Sequence, residues 1–212
     1  SGLLHADGYA GFNAIFEAGQ ATEAACWAHV RRKFFDEHVE NPSATTTEAL
    51  DRIGALYRIE DTIRGKPPDE RRRVRQDEAR PHLDALRAWI EATLSRLSAK
   101  TEVAKAMRYA LGRWTALSRY VDDGTLEIDN NAAERSIRGI ALGRKNWLFA
   151  GSDAGGERAA AIYSLIETCK LNGIGPEAYL RSILASIADH PINRVAERLP
   201  WNRAADQQSK TA

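Results

Sequence analysis

DNNAAERSIRGIALGRKNWLF, residues 129–149, is the stretch on which the reading of the chain turns. Its spacing predicts an amphipathic helix over 131–141 with a carboxylate, Glu134, near the start. Arg135, Arg138, Arg144 and Lys145 follow closely. Acid and base so interleaved suit a site that holds both a metal ion and a phosphate backbone. A structural role fits the same residues. Asn131 and Glu134 have capping-box spacing, with Asn131 as N-cap and Glu134 reaching back to its backbone N–H. Glu134 and Arg138 are also i,i+4 partners. The two roles are compatible, because a carboxylate has two oxygens. Beyond the helix, residues 143–153 form a basic-aromatic connector. There Arg144, Lys145 and Trp147 suit phosphate contact and base stacking, or a solvated loop with one anchoring Trp.

Working outward, residues 2–7 read as a short buried strand ending at Asp7, with Gly8 as the break. A carboxylate at the end of a strand is where α/β folds place functional groups. Asp-Gly is equally a turn. Residues 9–18 predict a short helix closed by Gly19, and 22–28 (TEAACWA) a second strand. A basic helix follows from Val30 to Val39. Cys26-x-x-His29 invites a metal reading, but no second ligand pair accompanies it. A packed Cys with a hydrogen-bonded His is the alternative, with Trp27 on the opposite face of the strand.

Residues 45–121 differ in character. Leu50, Ile53 and Tyr57, then Leu83, Leu86, Ile90, Leu94 and Leu97, then Val103, Met107, Ala110, Leu111, Trp114 and Leu117 form three apolar stripes at helical spacing. Gly65-Lys66-Pro67-Pro68 and Asp122-Asp123-Gly124 break them, and Pro81 kinks or starts the second. This is an antiparallel helical module. Arg71, Arg72, Arg73 and Arg75, interleaved with acids, read as a solvated helix face. Further helices are expected over 157–171, with Ile162, Leu165, Ile166 and Cys169 inward, and from Pro176, carrying Leu180, Ile183, Leu184 and Ile187.

The bulk numbers exclude more than they establish. A net charge of +1 over 212 residues gives no global case for nucleic acid, so any basic surface is local. Two distant cysteines make no disulfide framework and fit a reducing cytoplasm. No apolar run approaches the ~18 residues of a membrane span. No Gly-rich phosphate loop, nucleophile elbow or HExxH motif is present. A strand at the very start, with no signal-peptide pattern, leads us to expect a piece of a longer chain.

Four blocks together carry a resemblance: LHADGYAGFNAIF, CWAHVRRKFF, DNNAAERSIRGIALGRKNWLFAGSDAGGERAAAIYSLIETCKLNGI and YLRSILASIADHPINRVAERLPW. In this order they closely resemble the bacterial transposases of the insertion-sequence-66 family, from about Leu3 to Trp201 and most weakly across the helical module. The resemblance implies an α+β, mostly helical fold: part of an RNase H-like core, its first strands missing, with an all-α insertion and C-terminal helices. The expected organisation is 1–39 as the core remnant (strand-helix-strand-helix) and 40–124 as the helical insertion. Residues 125–201 then form the glutamate helix, connector and C-terminal helices, and 202–212 a flexible tail.

The resemblance also implies a DDE-type cytoplasmic bacterial enzyme that performs metal-dependent phosphodiester cleavage and strand transfer. Asp7 matches the family's second aspartate and Glu134 its glutamate, each a ligand to one of two Mg²⁺ (or Mn²⁺) ions. Cys26, His29 and Asn131 become active-site support. Arg135, Arg138, Arg144, Lys145 and Trp147 become DNA contacts. The implied partners are transposon ends and target DNA, with a homo-oligomer in the full-length enzyme and no membrane. The family's first aspartate lies upstream of Asp7, so this chain alone is expected to be inactive. An alternative is a non-catalytic DNA- or protein-binding helical module that retains transposase sequence. A third reading is a metal-dependent hydrolase of other phosphoesters.

Overall fold

The computed structural model describes residues 2–6, 8–143 and 151–202, without the side chain of Ile140. The chain divides into two compact units, Ser1–Glu134 and Arg135–Ala212.

In the first unit, β1 (Gly2–Ala6) pairs in parallel with β2 (Ala21–Ala25), with Ala6 opposite Ala25. A 3-10 turn at Ala10–Phe12 and the short α1 (Asn13–Glu17) make the crossover, closed at Gly19 with φ +67°. Parallel strands require such a crossover, since a hairpin reverses direction. The second strand is shorter than its sequence suggests. It stops at Ala25, and Trp27 opens α2 (Trp27–Glu40) instead of lying on a strand face. Trp27 is fully buried, donates its indole N–H to the Leu117 carbonyl (2.9 Å) and meets Trp114 edge-on at 5.7 Å. A buried indole that has found its acceptor anchors a helix more firmly than one side of a two-stranded sheet would.

A run of helices follows α2. Ser43 caps α3 (Ala44–Thr62) in a reciprocal box with Thr46. Pro68 opens α4 (Pro68–Val74), which runs through a π-helical turn at Arg75–Ala79 into α5 (Arg80–Leu94). Pro81 therefore sits in the first turn of α5, where its missing N–H costs least. Thr101 caps α6 (Glu102–Gly112), and α7 (Trp114–Asp122) follows after a break at Arg113. Gly124 lies flat on the start of α4: a Cβ there would stand 1.8 Å from the Pro68 carbonyl oxygen. Phe34 and Val30 of α2, Ile53 and Leu56 of α3, Leu86 and Ile90 of α5 and Met107 of α6 share one buried core.

The arginine run is not uniformly solvated. Arg72 and Arg73 are exposed, but Arg75 is 0% exposed. Its guanidinium grips both Glu60 oxygens (2.7 and 2.6 Å) and donates to the carbonyls of Tyr120 and Asp123. Arg71 lies close by, on Glu127 at 2.9 Å and the Leu126 carbonyl at 3.0 Å. A buried guanidinium requires this complete set of acceptors. The partner, Glu60, stands on another helix, which charge interleaving within one helix does not reveal.

The last element of the first unit is the start of α8 (Asn131–Gly143). In the second unit, Ser152 caps α9 (Asp153–Leu171), which ends at Asn172 and Gly173, the latter with φ +69°. Pro176 opens α10 (Pro176–Leu184), and a 3-10 segment spans Ile192–Arg198. The Tyr179 hydroxyl ties that segment back through the Arg198 carbonyl at 2.9 Å. Cys169, expected inward, and Tyr179 are buried, whereas Ile162, also expected inward, is exposed, as is Leu184. A helix of 9 residues cannot cover one of 19 along its length. Among the described residues, no helix is long and apolar enough to cross a membrane.

Candidate functional site

The end of β2 and the start of α8 are joined by backbone. The Trp27 N–H donates to the Ile128 carbonyl at 3.1 Å, and the Asn130 N–H points to the Cys26 Sγ at 3.5 Å. Residues 128–130 therefore run along the turn that launches α2. Cys26 is buried, and burial pushes its thiol up, opposed by the neighbouring amides of Asn130, His29 and Ala28. A buried thiol facing backbone amides has the surroundings of a packed cysteine.

The helix start differs from the capping box that Asn131 and Glu134 suggest. Glu134 N–H donates to the Asn130 carbonyl at 3.1 Å, so Asn131 is the first helical residue. The acid that serves this terminus is Asp129. It accepts the Asn131 backbone N–H (3.1 Å) and side-chain amide (2.8 Å), and the Tyr57 hydroxyl (3.0 Å) from α3. Burial, then the Asp129 charge, raises the Tyr57 phenol, so it stays a donor.

Glu134 is thereby relieved of capping. Its Oε1 faces His29 Nε2 at 3.4 Å, with the two side chains 46% and 28% exposed. The side chain that faces it among the described residues is thus His29, not the Arg138 that i,i+4 spacing suggests. The other His29 nitrogen, Nδ1, is buried and has no hydrogen-bond partner among the described residues. An accessible carboxylate in the first turn of a helix, steadied by an imidazole, is a hard-oxygen donor for a divalent cation.

Of the remaining sequence candidates, Arg135 and Arg138 are exposed on α8. Asp7, Arg144, Lys145 and Trp147 lie outside the described residues. Among the described residues, no group of three or more His, Cys, Asp or Glu side chains gathers as a metal cage. Two residues of the site went unread in the sequence. Asp129 had a visible signal, an acid directly ahead of a predicted helix. Tyr57 had none, since its place in an apolar stripe reads only as core.

The described residues thus bring together a parallel strand pair, a Cys-x-x-His turn and a glutamate in the first turn of α8. The family model described as "Transposase IS66 family" matches residues 1–158, and the "IS66 C-terminal element" matches residues 164–201. The chain belongs to the IS66 transposase family. It is 40% identical over 216 residues to the uncharacterized protein y4hP of Sinorhizobium fredii, covering 94% of this chain and 39% of that protein. It is 39% identical over 214 residues to the uncharacterized protein y4qI of the same organism, covering 97% and 40%. The uncharacterized protein YuaK of Escherichia coli is 46% identical over 49 residues, 23% of this chain and 52% of that protein. The chain spans about two-fifths of the length of the two Sinorhizobium relatives. No solved structure matches significantly.

Proposed function

We propose that the chain is the C-terminal part of a DDE-type catalytic domain with an RNase H-like core, acting on DNA in transposition. Glu134 and Asp7 are its metal-binding acids. The observation that carries this reading is the presentation of Glu134: accessible, in the first turn of α8, and 3.4 Å from His29 in the first turn of α2. The parallel register supports it, because Ala6, the residue before Asp7, pairs with Ala25 at the head of the same turn.

The donor chemistry fits magnesium or manganese, which take carboxylate oxygens and keep several waters. Bound there, the ions would activate a water or 3′-hydroxyl and stabilise the leaving oxygen of a phosphodiester. The protein's own work is positional. Tyr57 and Asn131 fix Asp129, which fixes the start of α8, and His29 then holds the Glu134 carboxylate. Arg135, Arg138, Arg144 and Lys145 supply phosphate contacts, and Trp147 a stacking surface. Cutting and joining DNA are proposed for the whole protein, since the chain spans only about two-fifths of the length of its Sinorhizobium relatives.

Calorimetric titration of the chain with Mn²⁺ tests the proposal. Binding is expected, lost in Glu134→Gln and in Asp7→Asn. Binding that survives both substitutions sinks the two-acid assignment. DNA binding that depends on Arg144 and Lys145, with no Mn²⁺ binding at all, would favour a non-catalytic DNA-binding module.

A further inference from the structure

One face of α2 is not used by the site described above. Ala28, Arg31, Arg32 and Phe35 recur at i, i+3, i+4 and i+7 and form a single stripe. With Tyr57 of α3 and Asn131 of α8, they line a surface cleft of about 370 Å³. Phe35 is an exposed aromatic, with the Arg31 guanidinium 5.8 Å from its ring centre. Arg31 makes no ion pair among the described residues, and Arg32 reaches only Asp36, at 3.7 Å, with both side chains largely exposed. The cleft adjoins the acid site at two points. Ala28 precedes His29 in α2, and Asn131 is one helical turn before Glu134.

We infer that this cleft seats one unpaired nucleotide of a DNA strand, its base on Phe35 and its phosphate on Arg31 and Arg32, next to the Glu134 carboxylate. This rests on the reading of the chain as a DNA-processing protein. Three observations select this occupant. The volume sits at the small end of the ~300–1,000 Å³ typical of small-ligand pockets, which suits one nucleotide and not a duplex. An exposed aromatic beside a cation without a carboxylate partner is the pairing that single strands use, whereas a duplex backbone asks only for cations. Finally, Phe35 is 46% exposed within the cleft lining, which leaves ring surface open to a ligand. The consequence is that DNA must be locally unpaired beside the acids, so the cleft selects a frayed or flipped-out nucleotide.

The test is fluorescence anisotropy with a 5′-labelled 12-nucleotide single strand, and with the same sequence as a duplex, in EDTA. The intact chain is expected to favour the single strand. Phe35→Ala should weaken single-strand binding about tenfold without changing its salt dependence, and Phe35→Trp should retain it. Arg31→Ala should weaken binding and reduce the salt slope by about 0.7. Arg64→Ala, at an exposed site beyond α3, should change neither. Arg31 and Phe35 are exposed, so unaltered melting of these variants separates binding from folding. Single-strand affinity unchanged in Phe35→Ala and Arg31→Ala overturns the cleft assignment while leaving the acid site standing. Loss in the cleft variants alongside absent Mn²⁺ binding would keep the cleft and remove the acids. Failure of the intact chain to bind either DNA would overturn both.

Discussion

The Tyr57 hydroxyl donates a 3.0 Å hydrogen bond to Asp129, 72 positions further along the chain. The bond joins the helical module to the acid that starts α8, so the module is part of the support of the site. A hydrogen bond to a charged group contributes about 1.5–3 kcal/mol. Tyr57→Phe keeps the ring and removes only that donor. Urea unfolding should therefore show a loss of about that size, and a midpoint equal to that of the unaltered chain would show that the bond carries no net stability.

In the proposed metal site, His29 would steady the Glu134 carboxylate from 3.4 Å without itself being a ligand. Partners of this kind typically change metal affinity about 10–100-fold when removed. His29→Ala should weaken Mn²⁺ binding by that factor, with His29→Gln recovering part of it through its amide donor. Equal affinities for the three proteins would deny His29 a positioning role.

The buried Arg75–Glu60 pair makes a different prediction. Removing one partner leaves the other charge buried without its counterpart, at about 3–5 kcal/mol. Glu60→Gln should approach that loss. Glu60→Leu with Arg75→Met should recover much of it but not all, because the Tyr120 and Asp123 carbonyls lose the donor that Arg75 provides. Chemical denaturation of the single and double variants decides the matter. Strict additivity would mean that the two charges do not interact.

Stability should also depend on the protonation of His5. Its Nε2 lies 3.2 Å from the Ala25 carbonyl, and burial lowers its pKa below 6.5, against the opposing pull of that carbonyl and of Asp129 and Glu127. The folded state then binds the proton less readily than the unfolded state. The sign follows: the contribution of His5 is intact above pH 6.5 and is lost as the pH falls through its lowered folded value. Thermal melts between pH 7.5 and 5 should show a falling midpoint, flattened in His5→Gln. An identical slope in the variant would place the acid sensitivity elsewhere.

The sequence was most legible where local rules act alone. The three apolar stripes, the Gly65–Pro68 and Asp122–Gly124 breaks and the Pro176 start all follow from helical period and backbone restriction, with no partner needed. It was least legible where the deciding partner is remote. Trp27 read as a strand residue because a short apolar run does not separate strand from helix. Its acceptor is a carbonyl 90 positions away. Arg75 read as solvated because Glu60 belongs to another helix. Asn131 and Glu134 fitted a capping box by spacing, but Asp129 competes for the same N–H from two residues upstream, and Tyr57 fixes it there. The glutamate itself was visible in the sequence. What had to come from the structure was that it is released from capping and turned to His29.

The contact between the Asn130 amide and the Cys26 sulfur spans 104 positions. The two sides of the acid site are thus the ends of a very long loop, and closing it carries an entropy cost that only the folded helices in between can offset. Loop-closure entropy thus favours an order in which the helical module condenses on local contacts before the acid-bearing ends meet. A chain emerging from synthesis would carry Cys26 and His29 without their Glu134 counterpart until the whole helical module between them had been made.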